Sequence, residues 1–122
     1  MQLDRDPTPG LVIRSFRPGL LRVGDRDITS PVILSAPDLI SPWAPPDLSE
    51  LRIDHLASVL DQQPELILLG TGSCHRFPAP ELAMHIMRQG VGLEVMDTAA
   101  ACRTFNVLNA EGRRVSAALF LE

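Results

Sequence analysis

In its second half the chain alternates between two hydrophobic periods, and this constrains the fold more than any other feature. The run Glu65–Leu69, "ELILL", is short, apolar and strand-like. Pro80–Gln89 has the spacing of a helix, with Pro80 suited to its first position and Gly90 to its stop. Gly92–Met96 is a second short strand. Thr98–Asn109 is a second helix, with Asp97 as its N-cap and Gly112 just beyond its end. Arg114–Leu121 closes the series as a strand. A β-α-β-α-β series with right-handed crossovers makes its strands parallel neighbours.

The first half has a different pattern. Residues 1–10 read as a flexible tail broken by Pro7, Pro9 and Gly10. Leu11–Arg17 is strand-like and stops at Pro18-Gly19. Leu20–Val23 and Asp27–Ser35 flank "VGDRD", where Gly24-Asp25 fits a two-residue hairpin turn. "PVILSA" has the composition of a buried strand, and Pro31 suggests an edge or a bulge at one end of it. Pro37–Pro46 contains four prolines (Pro37, Pro42, Pro45 and Pro46) and the sole tryptophan, Trp43. Its large apolar surface seeks burial, so this stretch is expected to be an ordered connection. A helix follows and ends near Gln63, with Leu56, Val59 and Leu60 on one face and either Ser49 or Asp54 as its N-cap. The expected fold is α/β (or α+β): one globular domain over residues 11–122, with a mixed β-sheet, an N-terminal antiparallel meander, a C-terminal β-α-β-α-β half, and helices packed on the sheet.

Composition narrows the function classes. The chain has 122 residues, 45% of them hydrophobic, enough for one core without metal or disulfide staples. Its net charge is −4, which disfavours a nucleic-acid binder, because neutralising phosphates takes a basic stripe. All 11 basic residues are arginine, and there is no tyrosine. The two cysteines, Cys74 and Cys102, form no CxxC pair and no disulfide framework. No apolar run is long enough to span a bilayer, and the N-terminus lacks the features of a signal peptide. The expectation is a cytoplasmic protein, not an integral membrane protein.

Chemistry concentrates in two segments. If the strands ending at Leu69 and Met96 are parallel, "GTGSCHRF" (70–77) and "MDTAAACRTFN" (96–106) lie at the same sheet edge, where open α/β sheets place ligands. Gly70-Thr71-Gly72 lacks the third glycine of a dinucleotide fingerprint and the lysine of a P-loop. The glycines therefore fit a tight turn with positive φ and close backbone approach better than a phosphate cradle. Adjacent residues in extended chain point apart, so Cys74-His75 is a weak nucleophile–base pair. No ligand pair has recognised metal spacing, and Cys102 fits a small core residue. On the second helix Ala101, Phe105 and Leu108 share a face. Arg103 and Asn106 lie roughly opposite, either as solvated polar residues or as a contact patch.

Taken together, "LILLGTG", "RFP" and "GLEVMDTAAACRTFNVLNAEGRRVSAAL" are distinctive. They resemble a small α/β family of unknown function that includes a mitochondrial complex I assembly factor and an adipogenesis-associated protein. The matching positions are Gly70, Thr71, Gly72, Asp97, Thr98, Arg103, Thr104 and Asn106, with Phe77. Cys74 and His75 fall outside them. The resemblance implies one compact domain, no established reaction, no cofactor, and a role in assembling or chaperoning other proteins.

The leading expectation is a non-catalytic protein-interaction domain of assembly-factor type, with an unidentified protein partner and room for a homo-oligomer. The alternatives are a small-ligand or anion site in a crevice between the Gly70–Gly72 loop and the Asp97–Arg103 helix start, and an enzyme acting through Cys74. No metal or catalytic residue is assigned.

Overall fold

The computed structural model describes residues 11–122. The expected tail over residues 1–10 lies outside the described residues. The strands are β1 (Ile13–Arg17), β2 (Leu20–Val23), β3 (Arg26–Ile28), β4 (Val32–Ser35), β5 (Asp38–Ile40), β6 (Leu66–Thr71), β7 (Gly92–Met96) and β8 (Val115–Phe120). The helices are α1 (Ala57–Asp61), α2 (Pro80–Arg88) and α3 (Thr98–Ala110). Two short 3₁₀ turns, Leu48–Glu50 and Ile53–Leu56, lead into α1.

The alternating half folds as expected. β6 pairs in parallel with both β7 and β8, and the five-stranded sheet runs β5-β4-β8-β6-β7. β4 joins it antiparallel to β8. The meander β1-β2-β3 forms its own three-stranded antiparallel sheet. Val23 pairs with Arg26 across Gly24-Asp25, as the turn chemistry requires, and Gly24 has φ +56°. What was expected as one strand over Asp27–Ser35 divides into β3 and β4, which belong to different sheets. Pro31 lies before β4, and at that end Val32 pairs with β8 alone, the β5 ladder beginning at Ile33 with no shift in register.

The large sheet is apolar on both faces. On one face Val32, Leu34, Leu68, Val115, Ala117 and Leu119 pack against α3 and the small sheet, with Phe105 fully buried between them. On the other, Ile33, Ile67, Leu69, Ala118 and Phe120 pack against α2, α1 and Trp43. The Trp43 ring lies 5.2 Å from Phe120, and its Nε1 donates to the His55 carbonyl at 2.9 Å. Its stretch is therefore ordered, and it also contributes β5, an edge strand not anticipated from a proline-rich segment. The helix expected to end near Gln63 begins late. Asp47, not Ser49 or Asp54, caps the first 3₁₀ turn by accepting from the Ser49 amide at 2.9 Å.

Phe105→Ala should destabilise the fold by about 3–5 kcal/mol, because it empties a fully buried site between the two sheets. Urea unfolding followed by tryptophan fluorescence measures it, and a loss below about 1 kcal/mol would contradict this packing.

Candidate functional site

The two singled-out segments meet at the carboxyl end of β6, in a packed junction. Gly70 and Thr71 continue the strand and do not form a loop. A Cβ on Gly70 would lie 2.8 Å from Thr98 Oγ1, 2.8 Å from Leu119 Cδ2 and 3.1 Å from Thr98 Cα. Real Cβ atoms do not come within 2.8 Å of a neighbour, so any larger residue here must displace the Thr98 hydroxyl or the Leu119 side chain. Gly72 has φ +97°, and a Cβ there would collide with the Glu122 carbonyl. The buried Thr98 hydroxyl donates to the Phe120 carbonyl at 2.6 Å and accepts from the Gly72 amide at 2.8 Å. The Thr98 amide donates to the Gly72 carbonyl at 2.9 Å, and the Ser73 amide to the Glu122 carbonyl at 3.0 Å. One threonine thus joins the ends of β6 and β8 to the start of α3.

The other singled-out side chains are similarly engaged. Thr71 Oγ1 donates to the Cys74 carbonyl at 2.6 Å and accepts from the Arg76 amide at 3.1 Å, folding the following loop back on the strand. Asp97 caps α3 by accepting from the Ala100 amide at 2.8 Å. Thr104 Oγ1 donates to the Ala100 carbonyl at 2.9 Å and lies 3.7 Å from Met96 Sδ. Asn106 is half-buried, not part of a solvated face. Its Nδ2 donates to the Ile13 carbonyl at 2.8 Å, and its Oδ1 accepts from the Ile13 amide at 2.9 Å, which ties α3 to β1. Arg103 is exposed.

Gly70, Thr71, Gly72 and Thr98 are therefore brought together, and Thr98 itself fills the space between them. Open surface occurs beside this junction, against β1. One hollow of about 300 Å³ is lined by Phe16, Arg17, Pro18, Gly72, Ser73, Asp97 and Ala99. A neighbouring one of about 270 Å³ includes Arg14, Phe16, Ala99, Arg103 and Asn106. The walls from β1 were missed in the sequence because nothing local in "IRSFR" says which helix this strand meets. A polar cluster at the far end of the sheet was missed as well. Ser35 Oγ donates to Gln62 Oε1 at 2.6 Å and lies 2.9 Å from the Ser116 hydroxyl. Only the pairing of β4 with β8 brings these serines together.

Cys74 is exposed, and the His75 ring packs on Phe77 at 4.7 Å. Among the described residues no hydrogen bond joins His75 to the Cys74 thiol, and no group of three or more His, Cys, Asp and Glu side chains is placed to hold a metal. Cys102 is a core residue. Burial pushes its thiol up to about 12, a rise that Arg103 partly opposes.

The description "Protein of unknown function (DUF498/DUF598)" belongs to a family model that matches residues 13–120. The chain belongs to this family. A zebrafish relative named NADH dehydrogenase [ubiquinone] 1 alpha subcomplex assembly factor 3 is 29% identical, over 96% of this chain and 68% of its own. The "13 kDa major membrane protein" of Francisella tularensis is 33% identical, over 80% of this chain and 78% of its own. Among solved structures, the NMR structure of a Xanthomonas campestris protein superposes with a TM-score of 0.84 at 34% identity, covering 99% of this chain and 92% of that one. A Bartonella henselae outer membrane protein gives 0.81 at 28%, covering 93% and 97%. The DUF498/DUF598 domain is thus a mixed α/β fold. No helix among the described residues is long and apolar enough to cross a membrane.

Two outcomes test the junction. Thr98→Val leaves the Gly72 amide without an acceptor and should cost about 1–3 kcal/mol in urea unfolding, whereas Thr98→Ser, which keeps the hydroxyl, should cost much less. Equal losses would remove the hydroxyl's role. The Cys102 shift predicts alkaline lability. A thiol held neutral in the folded chain stabilises fully below its ordinary value of 9.0, and that contribution is lost as pH rises toward about 12. The chain has no lysine or tyrosine to titrate in the same range. The urea midpoint should fall between pH 8.5 and 11 in the wild type and stay nearly level in Cys102→Ala.

Proposed function

We propose that this chain is a non-catalytic, cytoplasmic protein-interaction domain that helps assemble a larger complex. The observation that carries the reading is the placement of its exposed apolar side chains. Phe77, Met84 and Met87 are 78%, 50% and 64% exposed, so the Phe77–Met87 stretch concentrates unburied apolar side chains within one short segment. Methionine adapts its shape to varied partners, which suits a surface that holds other proteins. The name of the zebrafish relative, an assembly factor, supports the same reading. So does the engagement of Thr71, Thr98, Thr104 and Asn106 in bonds within the fold.

Partner capture from the protein's own cells tests it. Phe77→Ser/Met87→Ser should lose its partners at least tenfold relative to wild type, with little change in stability, because both side chains are largely solvated. Identical recovery by the two proteins would sink the reading.

A second reading is an anion or small-ligand site at the hollows beside Gly72, Asp97 and Arg103. The observation in its favour is that Arg14, Arg17 and Arg103 all line them. A ligand at 100 times its dissociation constant should stabilise the chain by about 2.7 kcal/mol, an effect that thermal shift detects and Arg103→Ala should reduce. An absence of shift across a broad panel of phosphates and carboxylates would set this reading aside.

A further inference from the structure

We propose that the outer edge of β7 accepts an additional strand from a partner protein, and that this strand is extended, apolar toward α2 and basic opposite Glu94. The inference deepens the protein-interaction reading by naming what part of a partner binds and where.

The phase of the ladder is fixed by the Gly92 amide, which donates to the Glu65 carbonyl at 3.0 Å. In the parallel register that runs from Leu66↔Gly92 to Gly70↔Met96, Gly92, Glu94 and Met96 therefore turn their main-chain groups toward β6. Leu93 and Val95 turn theirs outward. β7 is the last strand of the sheet, and among the described residues these outward groups have no hydrogen-bond partner.

Edges of this kind are normally guarded by proline, bulges, charge or shortness. The opposite edge, β5, is guarded: it has three residues and lies between Pro37 and Pro42. β7 has five residues, no proline and no shift in its register with β6, and Glu94 is its sole charge. Its Leu93 and Val95 side chains are half-buried on the face that α2 covers, and α2 presents Met84 and Met87 to solvent. Glu94 is exposed and points to the opposite face.

Glu94 also selects the occupant. A second copy pairing antiparallel about a two-fold axis engages both Leu93 and Val95 within the strand in one register alone, with Leu93 opposite Val95. That register places Glu94 directly opposite Glu94, in the closely spaced type of pair where like charges destabilise. A strand with arginine or lysine at that place turns the repulsion into attraction. A lipid surface would leave the outward amides and carbonyls unsatisfied. Strand addition satisfies them and draws its specificity from alternate side chains.

The test is an amide-resolved NMR titration of the whole chain with the capped peptide Val-Arg-Val-Arg-Val. Controls are the same peptide with glutamate for arginine and its fully N-methylated analogue, which cannot donate. Val95→Pro removes an outward N–H and leaves the β6 ladder intact. Glu94→Arg alters one exposed side chain and serves if the proline variant fails to fold. Saturable shifts at the Leu93 and Val95 amides are expected for the arginine peptide. Both control peptides, and Val95→Pro, should bind at least tenfold more weakly, and Glu94→Arg should invert the charge preference. The proposal is overturned by an absence of saturable shifts, by equal binding of the N-methylated peptide, by unchanged preference in Glu94→Arg, or by a wild-type dimer that Val95→Pro dissolves. Failure here alongside intact capture through Phe77 and Met87 removes the strand site alone. Failure of that capture alongside a positive titration removes the Phe77–Met87 surface alone.

Discussion

A single hydroxyl joins the two parallel strand ends to the helix that packs on them. Thr98 Oγ1 sits where β6, β8 and α3 converge, donating to one strand end and accepting from the other. A parallel sheet has no turns to fix the relative height of its strands, so something must clamp their ends. Here the clamp is the first residue of the helix that packs on the sheet. It works only because Gly70 has no side chain and Gly72 turns with a positive φ, which lets the helix start approach the strand directly.

The same logic accounts for most of the positions that mark the family resemblance. Asp97 starts α3, Thr98 clamps it, Thr104 bonds back along it, and Asn106 reaches across to β1. Asn106 presents an amide to both main-chain groups of Ile13, substituting for a neighbouring strand and seating the small sheet over the apolar side of α3. Arg103 is the exception. It is exposed and lies between helix positions that carry structural duties, at the rim of the hollows against β1.

The alternating half was legible because each element there has its own periodicity and punctuation: Pro80 and Asp97 open helices, and Gly90 and Gly112 end them. Where the reading failed, the deciding partner was distant in sequence. Gly70-Thr71 looked like the start of a loop because glycine suits a tight turn. It stays in β6 because Thr98 needs the space that glycine leaves. Asp27–Ser35 looked like one strand, yet Ile28 and Val32 serve different sheets. β5 was hidden by the prolines that bracket it, which an edge strand tolerates. Thr98 fills the space directly beside Gly70, and the hollow that lies between Gly72-Ser73 and Asp97-Ala99 borrows walls from β1, whose placement no local pattern encodes.

The order of the large sheet has a consequence for how the chain reaches its native state. β8 is the last element in sequence but lies in the interior of the sheet, between β4 and β6. During synthesis β4 and β6 emerge well before the strand that unites them, so each must wait with an exposed apolar flank. Contacts of such long sequence separation also slow folding, because the loop must close before the pairing is rewarded. A nascent chain of this kind is itself exposed to aggregation until β8 arrives, and a chaperone that shields the β6 segment in that interval would increase its yield.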